Sequence, residues 1–163
     1  MNKLIKILNG LEKIITIITG IMILLLTLLI SWQVFSRYVL NTGQFWAEEL
    51  AVISMMWIGF LGAAGALWTD SHIGLNLFVQ IFPEFLQLCL GVLRNIILTV
   101  FSLILFYNGI ILVKRTMGGT LSALGFSIGY SYLIVPASGL LLVLFAIVKL
   151  VKEIFDYFDL GVN

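Results

Sequence analysis

Charged residues punctuate an otherwise apolar chain of 163 residues, and the gaps between them mark its elements. No charge falls between Lys13 and Arg37, and none between Glu49 and Asp70. About 20 consecutive apolar residues cross the hydrocarbon core of a bilayer as a helix. The two gaps therefore predict a first span over about 14–36 and a second over about 50–69. Pro83 and Glu84 read as a helix start, with proline in the first turn. They open a third helix over about 84–113 that stops before Lys114 and Arg115. Its length exceeds a perpendicular crossing, so it must tilt or begin outside the hydrocarbon. A fourth span covers about 127–148 and ends at Lys149, after the Gly- and Ser-containing connector KRTMGGTLSALGFS. Only helices and closed barrels satisfy the backbone in lipid, and these runs lack the two-residue alternation of barrel strands. The pattern predicts an all-α integral membrane protein, with four transmembrane helices in one membrane domain over 1–163.

Residues 1–13 carry a different pattern. Leu4, Ile5, Ile7, Leu8 and Leu11 fall on one helical face, and Lys3, Lys6, Asn9, Glu12 and Lys13 on the other. Such spacing suits a short amphipathic helix lying in the membrane interface, and equally an extension of the first span. The apolar run that follows is far longer than the roughly 7–15 residues of a cleaved signal core. No small-x-small cleavage site follows it either, so it reads as an uncleaved span. Three lysines at one end of the chain and Lys149 and Lys152 at the other place both termini on the cytoplasmic side. The 37–49 loop and the 114–126 connector then face outward, although Lys114 and Arg115 run against that bias, and the 70–83 loop faces the cytoplasm.

Composition narrows the chemistry. Hydrophobic residues make up 61% of the chain and charged residues 10%, against about 25% charged in a soluble domain. Lipid must cover much of the surface. With a net charge of +1 there is no field to attract nucleic acid. A single cysteine, Cys89, forms no internal disulfide, and a single histidine, His72, supplies neither a haem ligand pair nor a multi-histidine metal site. No HExxH, phosphate loop or nucleophile elbow is present, so we expect no enzyme activity, no cofactor and no metal. Coupled carriers usually keep an ionisable residue deep in the membrane. The first, second and fourth spans have none, and Arg94 lies in the first third of the third helix. A self-sufficient carrier is therefore disfavoured.

Three local features remain. In the second span Gly59, Gly62, Ala63 and Ala66 form small-xxx-small pairs that permit close helix approach, either within this chain or against another membrane protein. Pro136 lies well inside the fourth span and predicts a kink, a device of shape. Between the first two spans stands FWAEEL, residues 45–50. Its Glu48 and Glu49 fall in the opening turns of the second helix, where carboxylates complement the helix dipole. Arg37 is within reach across the short Asn41-Thr42-Gly43 turn, and Trp46 suits the membrane interface. Dipole, ion pair and aromatic belt account for this motif without any function.

The stretch Val34–Asn76 resembles the small membrane subunit of tripartite ATP-independent periplasmic (TRAP) transporters, the DctQ-like or Q subunit. The resemblance rests on Phe35, Arg37 and Tyr38, then Trp46, Glu48 and Glu49, then Trp57 with Gly62, Ala63 and Ala64, then His72 and Ile73, with Pro136 later. This chain departs from the family pattern in the residues preceding His72, Trp68 to Ser71, and at Asn76. What the resemblance implies is a helper subunit. Its partners would be a large membrane subunit that carries substrate and sodium sites, and a periplasmic substrate-binding protein that captures an organic acid. Arg37, Trp46, Glu48 and Glu49 would then be a partner contact or fix the hairpin, and His72 would be a cytoplasmic-loop family position. Two rival readings are an independent four-span carrier or exporter and the membrane anchor of an enzyme complex.

Overall fold

The computed structural model describes residues 2–69 and 84–160; His72 and Ile73 lie outside the described residues. Helix α1 runs over Asn2–Tyr38, α2 over Phe45–Trp68, α3 over Glu84–Thr116, a single turn α4 over Ile128–Ser131, and α5 over Ile134–Leu160. Among the described residues the only extended pairing is an isolated antiparallel bridge between Thr120 and Ser127. Four stretches are long and apolar enough to cross a membrane: Ile5–Tyr38, Phe45–Trp68, Leu90–Thr116 and Ile128–Lys152. The protein is an all-α, multi-pass membrane protein.

Residues 2–13 belong to the first long helix. No break separates them from the first span, and α1 is one helix of 37 residues, about 55 Å long at 1.5 Å per residue. Leu8 and Ile15, seven positions apart, are both buried in a cluster with Ala64, Leu67, Leu142, Phe145 and Ala146. Leu8 of this segment is thus covered by protein, with Ile5 and Leu11 half-buried and Ile7 exposed. The Trp68 indole N–H also donates to Asn9 Oδ1 at 2.7 Å, fixing the segment to the last turn of α2.

Helix α1 is covered along one narrow seam. Its buried and half-buried positions include Ile5, Leu8, Glu12, Ile15, Thr19, Met22, Leu26, Leu29, Gln33 and Ser36, at the alternating three- and four-residue intervals of a heptad. This is the stripe of knobs-into-holes pairing between two helices, and the partner is α2. Helix α2 in turn packs on α5, and α5 packs most extensively on α3, so the long helices follow one another in the order α1–α2–α5–α3.

The closest backbone approach lies between α3 and α5. A methyl group added at Gly109 would sit 2.8 Å from the backbone nitrogen of Pro136, and one added at Gly139 would sit 2.8 Å from that of Phe106. Glycine is required at both sites because another backbone occupies the place of a side chain. Gly91, Asn95, Ser102 and Gly109 are the buried small or polar positions of α3, and Ser138, Gly139 and Ala146 are their counterparts on α5. The Ser102 hydroxyl donates to the carbonyl of Leu98 at 2.6 Å and that of Ser138 to the carbonyl of Val135 at 3.0 Å. Each of these buried hydroxyls therefore bonds back to its own helix.

Close packing by small residues therefore runs through α3 and α5. Among the described residues nothing lies within 4 Å of a methyl group added at Gly59 or Gly62. Ala63 is exposed and Ala66 half-buried. On α2 the small residues that pack inside this chain are Ala64, which is buried, and Gly65, which faces Thr16 and Ile15 of α1.

Gly109→Ala and Gly139→Ala should each lower the unfolding free energy of the detergent-solubilised chain by about 1–3 kcal/mol. Gly59→Ala and Gly62→Ala should leave it unchanged or slightly higher. Equilibrium unfolding monitored by circular dichroism checks both halves of this contrast.

Candidate functional site

One end of the molecule carries the α1–α2 turn and the 117–127 connector. The turn is built on Ser36, which is fully buried. Its backbone carbonyl accepts from the Thr42 N–H at 3.1 Å, its hydroxyl pairs with Thr42 Oγ1 at 2.8 Å, and Gln44 Nε2 donates to the same hydroxyl at 3.2 Å. Asn41 adopts a left-handed conformation with φ 51°, which asparagine tolerates better than most residues. A small polar residue at the end of α1 thus takes up the turn and sets where α2 begins.

The two glutamates of FWAEEL do different work. Glu48 meets Arg37 across the turn, with Oε1 3.4 Å from Nη1. The side chains of this pair are 63% and 51% exposed, so water screens it, and such pairs contribute about 0–1 kcal/mol. Glu49 points away, toward the connector. Its carboxylate accepts from the Ala123 N–H at 3.0 and 3.1 Å and from the Leu124 N–H at 3.0 Å. Two successive backbone donors converging on a carboxylate form charge-assisted bonds, stronger than neutral ones. Trp46 stands beside them, 39% exposed.

The connector that Glu49 holds is an ordered loop. Leu121 N–H donates to the carbonyl of Phe126 at 2.9 Å, Gly125 N–H to that of Leu121 at 3.0 Å and Ile128 N–H to that of Gly119 at 2.9 Å. Gly125 takes φ 74°, a conformation that glycine enters at no steric cost. The Ser127 hydroxyl caps α4 by accepting from the Gly129 N–H at 3.2 Å.

Pro136 acts differently from a kink in a continuous helix. The fourth span is interrupted at Tyr132 and Leu133, and Pro136 lies in the first turn of the new helix α5. Proline has no N–H to give to the carbonyl of Tyr132. That carbonyl accepts instead from Val135 N–H at 3.0 Å. Val135 is thereby diverted from the carbonyl of Ser131, its regular partner in a helix. The Trp57 indole N–H fills the gap, donating to the Ser131 carbonyl at 2.9 Å. A tryptophan on α2 thus completes the backbone bonding that proline breaks on the fourth span.

Both clamps reach across 74 positions of chain, and neither leaves a local sequence signal. A third was equally hidden: Lys149 Nζ donates to the carbonyl of Leu67 at 2.6 Å, placing a cation at the C-terminal end of α2, where the dipole favours it. The predicted residues divide accordingly. Arg37 and Glu48 meet, Glu49 holds the connector, Pro136 packs on Gly109, and Gly59, Gly62 and Ala63 face away from the rest of the chain. Among the described residues no group of His, Cys, Asp and Glu is arranged to hold a metal ion.

A bundle of four helices long and apolar enough to cross a membrane, with side-chain clamps on backbone groups at both ends of α2, defines a multi-pass membrane protein. Residues 26–156 match the family model of the DctQ component of tripartite ATP-independent periplasmic transporters, and the chain belongs to that family. It is 30% identical over 155 residues to the sialic acid TRAP transporter small permease protein SiaQ of Vibrio cholerae, covering 95% of this chain and 86% of that protein. It is also 23% identical over 147 residues to a putative TRAP transporter small permease protein of Haemophilus influenzae, covering 90% and 91% of the two chains. Its class is thus the small permease, or Q, subunit of a TRAP transporter.

Removing the Glu49 carboxylate should release the connector. Glu49→Ala should speed amide hydrogen exchange at Ala123 and Leu124 by at least tenfold, whereas Glu48→Ala should leave it within twofold. Trp57→Phe should cost about 1–3 kcal/mol in unfolding free energy, the penalty of an unsatisfied buried carbonyl. Exchange measured on the purified chain in micelles, with chemical unfolding, checks all three variants.

Proposed function

We propose that this chain is a non-catalytic scaffold that binds and orients the large membrane subunit during sodium-coupled, binding-protein-dependent uptake of an organic acid. Its partners on this reading are that large subunit, the periplasmic substrate-binding protein and membrane lipid. The observation that carries the reading is the absence of any ionisable residue from three of the four spans between their flanking charges. Coupling and substrate chemistry need buried polar or charged groups, so they fall to another subunit. The printed name of the Vibrio cholerae relative specifies sialic acid for that protein. For this chain the proposed cargo is the wider class of sialic acids, dicarboxylates and related carboxylates.

The face of α2 that no described residue covers supports a lateral partner. Glu48, Val52, Met55, Gly59 and Ala63 are all exposed and follow one another at helical spacing, with half-buried Gly62 and Ala66 alongside. Small residues there let a neighbouring helix come close. The placement proposed is the bacterial inner membrane, with both termini cytoplasmic and the Arg37–Glu48–Glu49 end outward. His72 is proposed as a family position in the cytoplasmic loop.

Co-expression with the other two components, followed by reconstitution into liposomes, tests this function. Sodium-driven uptake should require all three components, and the chain alone should transport nothing. Glu48→Ala combined with Glu49→Ala should lower uptake at least severalfold at unchanged expression. Transport by the purified chain alone would overturn the scaffold reading.

A further inference from the structure

Met117 follows the last turn of α3 and is, among the described residues, the only methionine outside the four apolar spans. Exposed Lys114 and Arg115 precede it and mark the watery end of that helix. Met117 is itself 40% exposed. Its sulfur is also a structural contact. A methyl group added at Gly129 would sit 2.8 Å from Met117 Sδ and 2.9 Å from Cγ, so the thioether rests directly on the backbone of α4. The Ser127 hydroxyl donates to the Met117 carbonyl at 2.8 Å and lies 3.7 Å from Sδ. The same hydroxyl caps α4 by accepting from the Gly129 N–H. One sulfur thus touches both the glycine and the cap at which the connector becomes the fourth span.

We propose that Met117 is a reversible oxidation site, where a peroxide converts the thioether into a sulfoxide and loosens the connector from the fourth span. The sulfur lone pair attacks one oxygen of hydrogen peroxide; an S–O bond forms and the O–O bond breaks. Sulfur loses two electrons, and the leaving hydroxide takes the proton of the new S–OH group and departs as water. The product is polar and chiral where the thioether was apolar and flexible. Its oxygen has no room on the Gly129 side. Ser127 has a single hydroxyl hydrogen, so the sulfoxide oxygen competes for it with the Met117 carbonyl. Both effects strain the same joint, and the side chain relieves them by turning out to water and uncovering Gly129. The other described methionines lack this combination. Met55 is 60% exposed but lies within the apolar span of α2, where no water solvates a departing hydroxide, and Met22 and Met56 are half-buried within spans.

The test treats the full chain in lipid nanodiscs with hydrogen peroxide and follows each methionine by peptide mass spectrometry. Sulfoxide should form at Met117 about tenfold faster than at Met22, Met55 or Met56, as water access favours. Amide hydrogen exchange at Ile128 and Gly129 should then rise severalfold, and the two methionine sulfoxide reductases together should reverse the rise. Met117→Leu, which keeps the apolar contact, should show the resting exchange rate with and without peroxide. Met117→Gln, polar like the sulfoxide, should show the raised rate without it. Equal oxidation rates at all four methionines would overturn the proposal. So would unchanged exchange at Gly129 once Met117 is fully oxidised, or a peroxide-dependent rise that persists in Met117→Leu.

Discussion

Backbone groups inside a bilayer have no water to bond with, and this constraint organises the molecule. A proline near the start of the fourth span removes one donor and displaces another. The carbonyl thereby orphaned, that of Ser131, is met by the indole of Trp57. Above it the connector presents two free N–H groups, and Glu49 meets those. At the other end of α2 the carbonyl of Leu67 is met by Lys149. Helix α2 therefore completes the irregular backbone of the fourth span and of the connector, and its own C-terminal end is completed by α5. Its aromatic and acidic residues are read best as donors and acceptors for other parts of the chain.

The same constraint explains why the most intimate packing is between α3 and α5. In lipid, helices gain little from burying apolar surface against each other, and association depends on close van der Waals fit. Gly109 and Gly139 allow that fit, and Pro136 is pressed into it. The interruption at Tyr132 and Leu133 and the close approach at Gly109 are two aspects of one arrangement, in which a proline-led helix start is seated against a glycine. The buried serines remain compatible with it because their hydroxyls bond back to their own helices.

Much of the architecture was legible in the sequence because charge is so sparse. Four apolar runs bounded by Arg, Lys, Glu and Asp announce four crossings, and the order of Arg37, Trp46, Glu48 and Glu49 announces the family. What stayed hidden depends on direction. Between Ile14 and Ser36 every face of the first helix is apolar or weakly polar, so hydropathy does not select the seam that meets α2. Glycines in α2 and in α3 look alike as letters, yet Gly109 faces a backbone and Gly62 faces open space. Adjacent Glu48 and Glu49 are chemically identical, and only the helical rotation of about 100° per residue sends one to Arg37 and the other to the connector. The amphipathic pattern of residues 1–13 fitted two arrangements, and it gave no sign of the bond from Trp68 to Asn9 or of the burial of Leu8.

The heptad seam of α1 has a mechanical consequence. A helix about 55 Å long is fastened along one edge, chiefly to α2, by the Gly65 contact, the Trp68–Asn9 bond and the Arg37–Glu48 pair. Local stability follows the density of such fastenings. The α1–α2 seam is packed more densely than the α2–α5 contact, so under load the α1–α2 hairpin should part from the α3–α5 pair before α1 peels from α2. The bundle is thus two leaves, the α1–α2 hairpin and the α3–α5 keel.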